Sequence, residues 1–195
     1  MSRTAHIHRV TGETDVSLSL GLDGSGAGER LTGVGFFDHL LDALAKHGRL
    51  DLDVRAEGDL ETGPHHTVED TGLALGQALD AALGDRAGIR RFGQATVPMD
   101  EALASCAIDV SGRPHTAFTA ELPETRVGDF DTDLAEEFVR ALANSASLTV
   151  HLRVEAGTNA HHMVEAAFKA LARALREAVD IDPDESGIPS TKGLI

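Results

Sequence analysis

Residues 65–83 lie on residues 161–179 without a gap, and nine of these nineteen positions are identical. The shared block opens His65-His66-Thr67-Val68-Glu69 in one copy and His161-His162-Met163-Val164-Glu165 in the other. Upstream, 39–57 lies on 137–155 with six of nineteen positions identical. Further upstream, Arg3, Glu13, Ser17 and Gly24 lie on Arg91, Glu101, Ser105 and Gly112. A long period seen only twice implies a duplicated unit, not a solenoid. The expected architecture is a pseudo-two-fold α/β sandwich, with halves at about 1–88 and 89–181 and a tail over 182–195. On this reading the 195 residues form a single unit made of two repeats.

Hydrophobic periodicity fills in each half. Val16, Leu18, Leu20 and Leu22 alternate with small or polar residues, as do Leu50 to Ala56 and Leu148 to Val154. Such patterns imply strands of sheets covered on one side. Phe118 and Leu122 suggest another strand. Val164, Phe168, Leu171, Leu175 and Ala178 form a helical stripe, and Val68, Leu75, Leu79 and Ala82 a weaker one. Asp38 to Lys46 and Asp133 to Asn144 read as shorter helices. Pro183, Gly187, Pro189 and Gly193 make the tail irregular.

Composition removes several classes of function. There are 17 Lys and Arg against 32 Asp and Glu, a formal charge of −15. That balance repels nucleic acid and anionic membrane surfaces. One cysteine, Cys106, leaves no internal disulfide and no cysteine-based zinc site. No apolar run approaches membrane length and no leader segment is visible, so a cytoplasmic location is expected.

Ten histidines remain to be explained. On a helix, His65 and Glu69 share a face at i, i+4, while adjacent His65 and His66 point about 100° apart. One helix therefore cannot easily give both imidazoles to one metal, but it can serve two metals, or a metal and a substrate. The repeat adds His39, which aligns with Glu137. Eight candidate ligands result: His39, His65, His66, Glu69, Glu137, His161, His162 and Glu165. A mixed N/O set of this kind suits Mn, Fe or Zn. A lone His-His pair is usually a surface or capping feature, and a lone His-x-x-x-Glu is often an ion pair. Two copies in register favour a site. Asp100 and Glu101 read as turn acids, and a hydrogen bond is the default role for His151.

The chain resembles the imidazoleglycerol-phosphate dehydratase family over essentially its whole length. The likeness rests on Phe36-Phe37-Asp38-His39, His65-His66-Thr67-Val68-Glu69-Asp70, Arg91-Phe92-Gly93, Asp109-Val110-Ser111-Gly112-Arg113-Pro114, the second His-His block with Ala167-Phe168-Lys169, and Pro189-Ser190-Thr191-Lys192-Gly193. It implies an α+β two-layer sandwich of the ribosomal protein S5 domain 2 type. Two four-stranded sheets would flank a four-helix layer, with an unusual left-handed crossover. It implies two Mn2+ per active site, held by the eight residues above. It also implies a homo-oligomer of 24 subunits with active sites at subunit interfaces. Glu137 departs from the His common at that position.

The implied reaction removes water from a glycerol-phosphate side chain on an imidazole, in histidine biosynthesis. A metal on the imidazole nitrogen would stabilise the electron-rich form that expels hydroxide. By the same resemblance Glu13 and Glu165 are catalytic candidates. His39, His47, His65, His66, His161, His162, Lys169 and Thr191 join Glu13 as substrate contacts, and Arg91, Arg113, Ser190 and Lys192 hold the phosphate. The alternative is a dinuclear metallohydrolase acting on a small phosphorylated substrate. A metal-storage bundle is disfavoured, because such bundles use Glu-x-x-His on four long helices.

Overall fold

The computed structural model describes residues 3–195. The first half supplies β1 (Thr4–Val10), β2 (Thr14–Gly21), β3 (Arg30–Leu31), α1 (Gly35–Gly48), β4 (Asp51–Gly58) and α2 (His65–Leu83). The second supplies β5 (Phe92–Met99), β6 (Ala102–Asp109), β7 (His115–Thr119), β8 (Arg126–Val127), β9 (Phe130–Asp131), α3 (Leu134–Ser145), β10 (Thr149–Ala156) and α4 (Ala160–Val179). Two four-stranded mixed sheets result, ordered β1-β2-β4-β3 and β5-β6-β10-β7. In each, the last strand lies parallel to its neighbour and the others pair antiparallel. The two orders are the same once the halves are matched, apart from the extra β8–β9 ribbon.

The alternating residues of β2, β4 and β10 point Val16, Leu18, Leu20, Leu52, Val54, Val150 and Leu152 into the core. Helix α2 lies on the first sheet and α4 on the second. The shorter helices cross over: α1 packs on α4, and α3 packs on α2. Each half is therefore covered partly by the other. Phe37, Phe130, Phe138 and Phe168 are fully buried. Phe138 stacks on Phe168 at 5.3 Å between ring centroids. Helix α3 also comes so close to α2 that a Cβ at Gly72 would stand 2.9 Å from both Phe138 O and Ala141 Cβ. The second copy has Phe168 where the first has Gly72.

One expectation needs correction. Phe118 lies in β7, but Leu122 lies beyond its end, in the connection to β8. Strands β1, β5 and β6 carry no clear alternation yet form. The inward residues of β6 are Ala102, Ala104, Cys106 and Ile108, and Leu103, Ser105 and Ala107 on the other face give little polar contrast. Strand β5 tolerates Pro98 because it is an edge strand. Tail residues 182–195 are irregular but attached: Gly88 N–H donates to Gly187 O and Asp182 N–H to Gly88 O. No helix among the described residues is long and apolar enough to cross a membrane.

Candidate metal centre

The block at the start of α4 is fixed by its cap. The Asn159 side chain accepts hydrogen bonds from the backbone N–H groups of His161 and His162. His161 and Glu165 then lie one turn apart on the face that meets α1. Helix α1 contributes His39. His39 Nε2 is 3.0 Å and His161 Nε2 3.2 Å from the same oxygen, Glu165 Oε2. One ligand atom from each of the three falls within 4.8 Å of the others. Among the described residues no other trio of His, Cys, Asp or Glu gathers so closely. The Glu165 side chain is only 8 % exposed, and its second oxygen takes the Lys169 ammonium at 2.7 Å. Burial pushes this carboxyl up. Hydrogen bonds from His39 and Lys169, and the charge of both, outweigh burial and hold it at about 2. Phe36 walls the trio, 4.8 Å from the His161 ring.

The counterpart trio, His65 and Glu69 of α2 with Glu137 of α3, is looser. His65 Nε2 stands 3.7 Å from Glu69 Oε2. Glu137 reaches Arg140 Nη1 at 3.2 Å rather than joining His65 and Glu69 in a close group. A carboxylate where the first half has an imidazole can attract a cationic neighbour, and Arg140 is one turn away.

The second histidine of each block turns elsewhere. The rings of His65 and His66 are 89° apart and those of His161 and His162 87° apart. His66 Nδ1 meets Asp59 at 3.0 Å, with Glu13 Oε1 at 3.8 Å from its Nε2. His162 Nδ1 meets Glu101 at 2.8 Å, with Asp100 at 3.9 Å from its Nε2. Both imidazoles have raised pKa values, held mainly by those hydrogen bonds. Glu101 is held at about 2 by His162 first, then by backbone N–H groups of the Thr158 turn. Asp100 adopts a left-handed backbone, φ 49°, where the chain reverses between β5 and β6. The turn acid Glu101 is thus a histidine partner. Its alignment with Glu13 was the available signal; Asp59 had none.

His47 lies farther along the α1–α4 contact. Burial first, then the charges of Lys169 and Arg173, push its pKa down. Arg91 is elsewhere. Its guanidinium donates to Asp109 at 2.7 Å and to Pro189 O at 2.9 Å, and its backbone N–H to Ala178 O. Ala178 is thirteen residues beyond Glu165, about 20 Å along α4 at 1.5 Å per residue. Arg113, in the connection from β6 to β7, belongs to the same distant region: a Cβ on neighbouring Gly112 would stand 2.7 Å from the Ile195 carboxyl carbon. The tail residues Ser190, Thr191 and Lys192 follow Pro189, and the Ser190 hydroxyl accepts the Lys192 backbone N–H at 3.2 Å. One chain therefore holds its trio and its candidate phosphate grips at opposite ends of α4.

The family profile described as imidazoleglycerol-phosphate dehydratase matches residues 32–175. A relative of that name from Moorella thermoacetica is 58 % identical over 195 residues, covering all of both chains. One from Gluconacetobacter diazotrophicus is 56 % identical, covering 100 % of this chain and 98 % of its own. Crystal structures of such enzymes are also similar. That from Staphylococcus aureus has TM-score 0.84 and 38 % identity, covering 92 % of this chain and 99 % of its own. That from Pyrococcus furiosus has TM-score 0.85 and 37 % identity, covering 97 % and 100 %. The chain belongs to the imidazoleglycerol-phosphate dehydratase family of lyases.

Proposed function

We propose that this chain dehydrates imidazoleglycerol phosphate to imidazoleacetol phosphate in histidine biosynthesis, as a Mn2+-dependent cytoplasmic enzyme of the ribosomal protein S5 domain 2-like fold, its four helices layered between the sheets. The convergence of His39, His161 and Glu165 in a chain of this family carries the reading. Two imidazole nitrogens and a carboxylate kept ionised form a donor set suited to Mn2+. His65, Glu69 and Glu137 form the second set. The chemistry such ions supply is Lewis-acid withdrawal of electron density from the substrate's imidazole.

The remaining work falls to the chain. Glu13 Oε, exposed and beside His66, is the candidate proton carrier. Lys169, salt-bridged to Glu165, and His47, its pKa pushed down by burial and then by its cationic neighbours, are substrate contacts. Arg91, Arg113, Ser190 and Lys192 grip the phosphate, with Thr191 a further substrate contact. These grips lie far from the trio of their own chain, and His66 and His162 are turned away from their own trios. Both facts favour active sites shared between copies; the assembly of 24 subunits is what the family resemblance implies.

The deciding assay incubates protein, Mn2+ and imidazoleglycerol phosphate. Imidazoleacetol phosphate without free phosphate is the expected product. Free phosphate would indicate a metallohydrolase instead. Glu13→Gln with normal turnover and metal content would remove the Glu13 role. Complete chelation should shrink the particle seen by light scattering; an unchanged size would remove the claim of metals between subunits.

A further inference from the structure

The halves differ most between the third strand and the first helix of each. Three residues, 32–34, join β3 to α1, whereas fourteen, 120–133, join β7 to α3. The longer connection contains the β8–β9 ribbon, closed by Arg126 on Asp131 at 2.7 Å and Thr132 N–H on Thr125 O at 2.9 Å. The ribbon touches α4 through β8 and α1 through β9.

Its acids meet both helix starts. Residue Val34, before α1, gives no side-chain cap. Asp129 supplies it from the other half: Oδ2 accepts Gly35 N–H at 2.8 Å and Oδ1 accepts Phe36 N–H at 3.3 Å. Glu124 Oε2 accepts Ala160 N–H, the first residue of α4, at 3.0 Å. Phe130, fully buried beside Asp129, packs on Phe36 at 5.7 Å and on Phe37 at 6.0 Å. Helix α1 presents His39 one turn after these caps, and α4 presents His161 and Glu165 in its first two turns. The helices that build the close trio are the two whose starts this connection holds.

We infer that the 120–133 segment is a clamp peculiar to the second half. It sets the spacing of the α1 and α4 starts, and so the spacing of His39 from His161 and Glu165. Asp129 and Glu124 are positioning residues: they act through backbone N–H groups and touch no ligand atom of the trio. The inference rests on the reading of that trio as a metal site. Its physical basis is that partners behind ligands fix their orientation, and their loss typically costs about 10–100-fold in metal affinity. The trio of His65, Glu69 and Glu137 has no equivalent connection and is the looser of the two.

Mn2+ titration of the metal-stripped full-length protein tests this, with the ion alone as probe. Asp129→Ala and Glu124→Ala are each expected to weaken one class of Mn2+ sites by about tenfold or more and to spare the other class. Asp129→Asn and Glu124→Gln keep an accepting oxygen and should restore affinity. Glu121→Ala, an exposed residue of the same connection, should change nothing. Two results would overturn the clamp: unaltered affinity in both alanine variants, or equal weakening of both classes without rescue. If the unaltered protein took up no Mn2+, the metal reading itself would fail and the clamp with it. Normal uptake there with unaltered variants sinks the clamp alone.

Discussion

His162 and Glu101 stand sixty-one residues apart in the chain and meet at 2.8 Å, Nδ1 to Oε2. A carboxylate on one imidazole nitrogen fixes the ring and raises the basicity of the other. Glu101→Ala should lower Mn2+ affinity and turnover by about 10–100-fold, and Glu101→Gln should recover part of the loss. Titration of the metal and initial-rate assays report both. Unchanged values would reduce the pair to a surface contact.

Separate placement of trio and phosphate grips predicts complementation. His161→Ala and Arg91→Ala should each abolish activity in uniform assemblies. Co-assembled after mixed refolding, the two chains should regain part of it, since some interfaces then combine an intact trio with intact grips. If the mixture stays inactive while its composition is proven mixed, the site is not shared in this way.

Close approach of α2 and α3 predicts the cost of one methyl group. A Cβ at Gly76 would stand 2.6 Å from both Leu142 O and Ser145 Cβ. Gly76→Ala gains about 1 kcal/mol of helix propensity but forces overpacking that costs about 1–3 kcal/mol. Net destabilisation is expected in thermal unfolding. Gly187→Ala, with open space around it, serves as the near-neutral control.

Arg3 donates to Asp23 and to Val179 O, tying β1 to the end of α4. The hydrogen bond from Arg3 holds the Asp23 carboxyl below its usual 3.8, with burial opposing. A depressed folded pKa contributes stability that is full above 3.8 and fades as pH falls through the lowered value. The melting-point gap between Arg3→Gln and the unaltered protein should therefore be steady near neutrality and narrow below pH 3.8. Solvent at Asp23 keeps that gap small.

Burial pushes the Cys106 thiol up to about 12. At pH about 8 the native protein should resist thiol alkylation, because the thiolate is the reacting form. Denaturation should release one reactive thiol per chain. Rapid labelling of the folded protein would contradict the burial.

Elements with strong periodicity were readable before any coordinates: α4 from its Val164–Ala178 stripe, and β2, β4 and β10 from alternation. Strand β6 was not, because alanines and a cysteine on one face and leucine, serine and alanine on the other give almost no contrast. The eight candidate ligands followed from the repeat alone. Their grouping did not, since His39 and Glu165 are 126 residues apart and meet only through α1–α4 packing. Asp129 was invisible for the same reason: a cap lent across 94 residues leaves no local signature.

The Gly72–Phe138–Phe168 contact has a consequence for descent. Two identical chains meeting about a two-fold axis must present the same residue on both sides. A glycine that admits a helix backbone and a phenylalanine that stacks on the same ring could not then occupy equivalent places. Joining the copies in one polypeptide removed that self-complementarity constraint. Each half became free to specialise: a glycine in one is matched by a phenylalanine in the other, and an imidazole at position 39 by a carboxylate at 137.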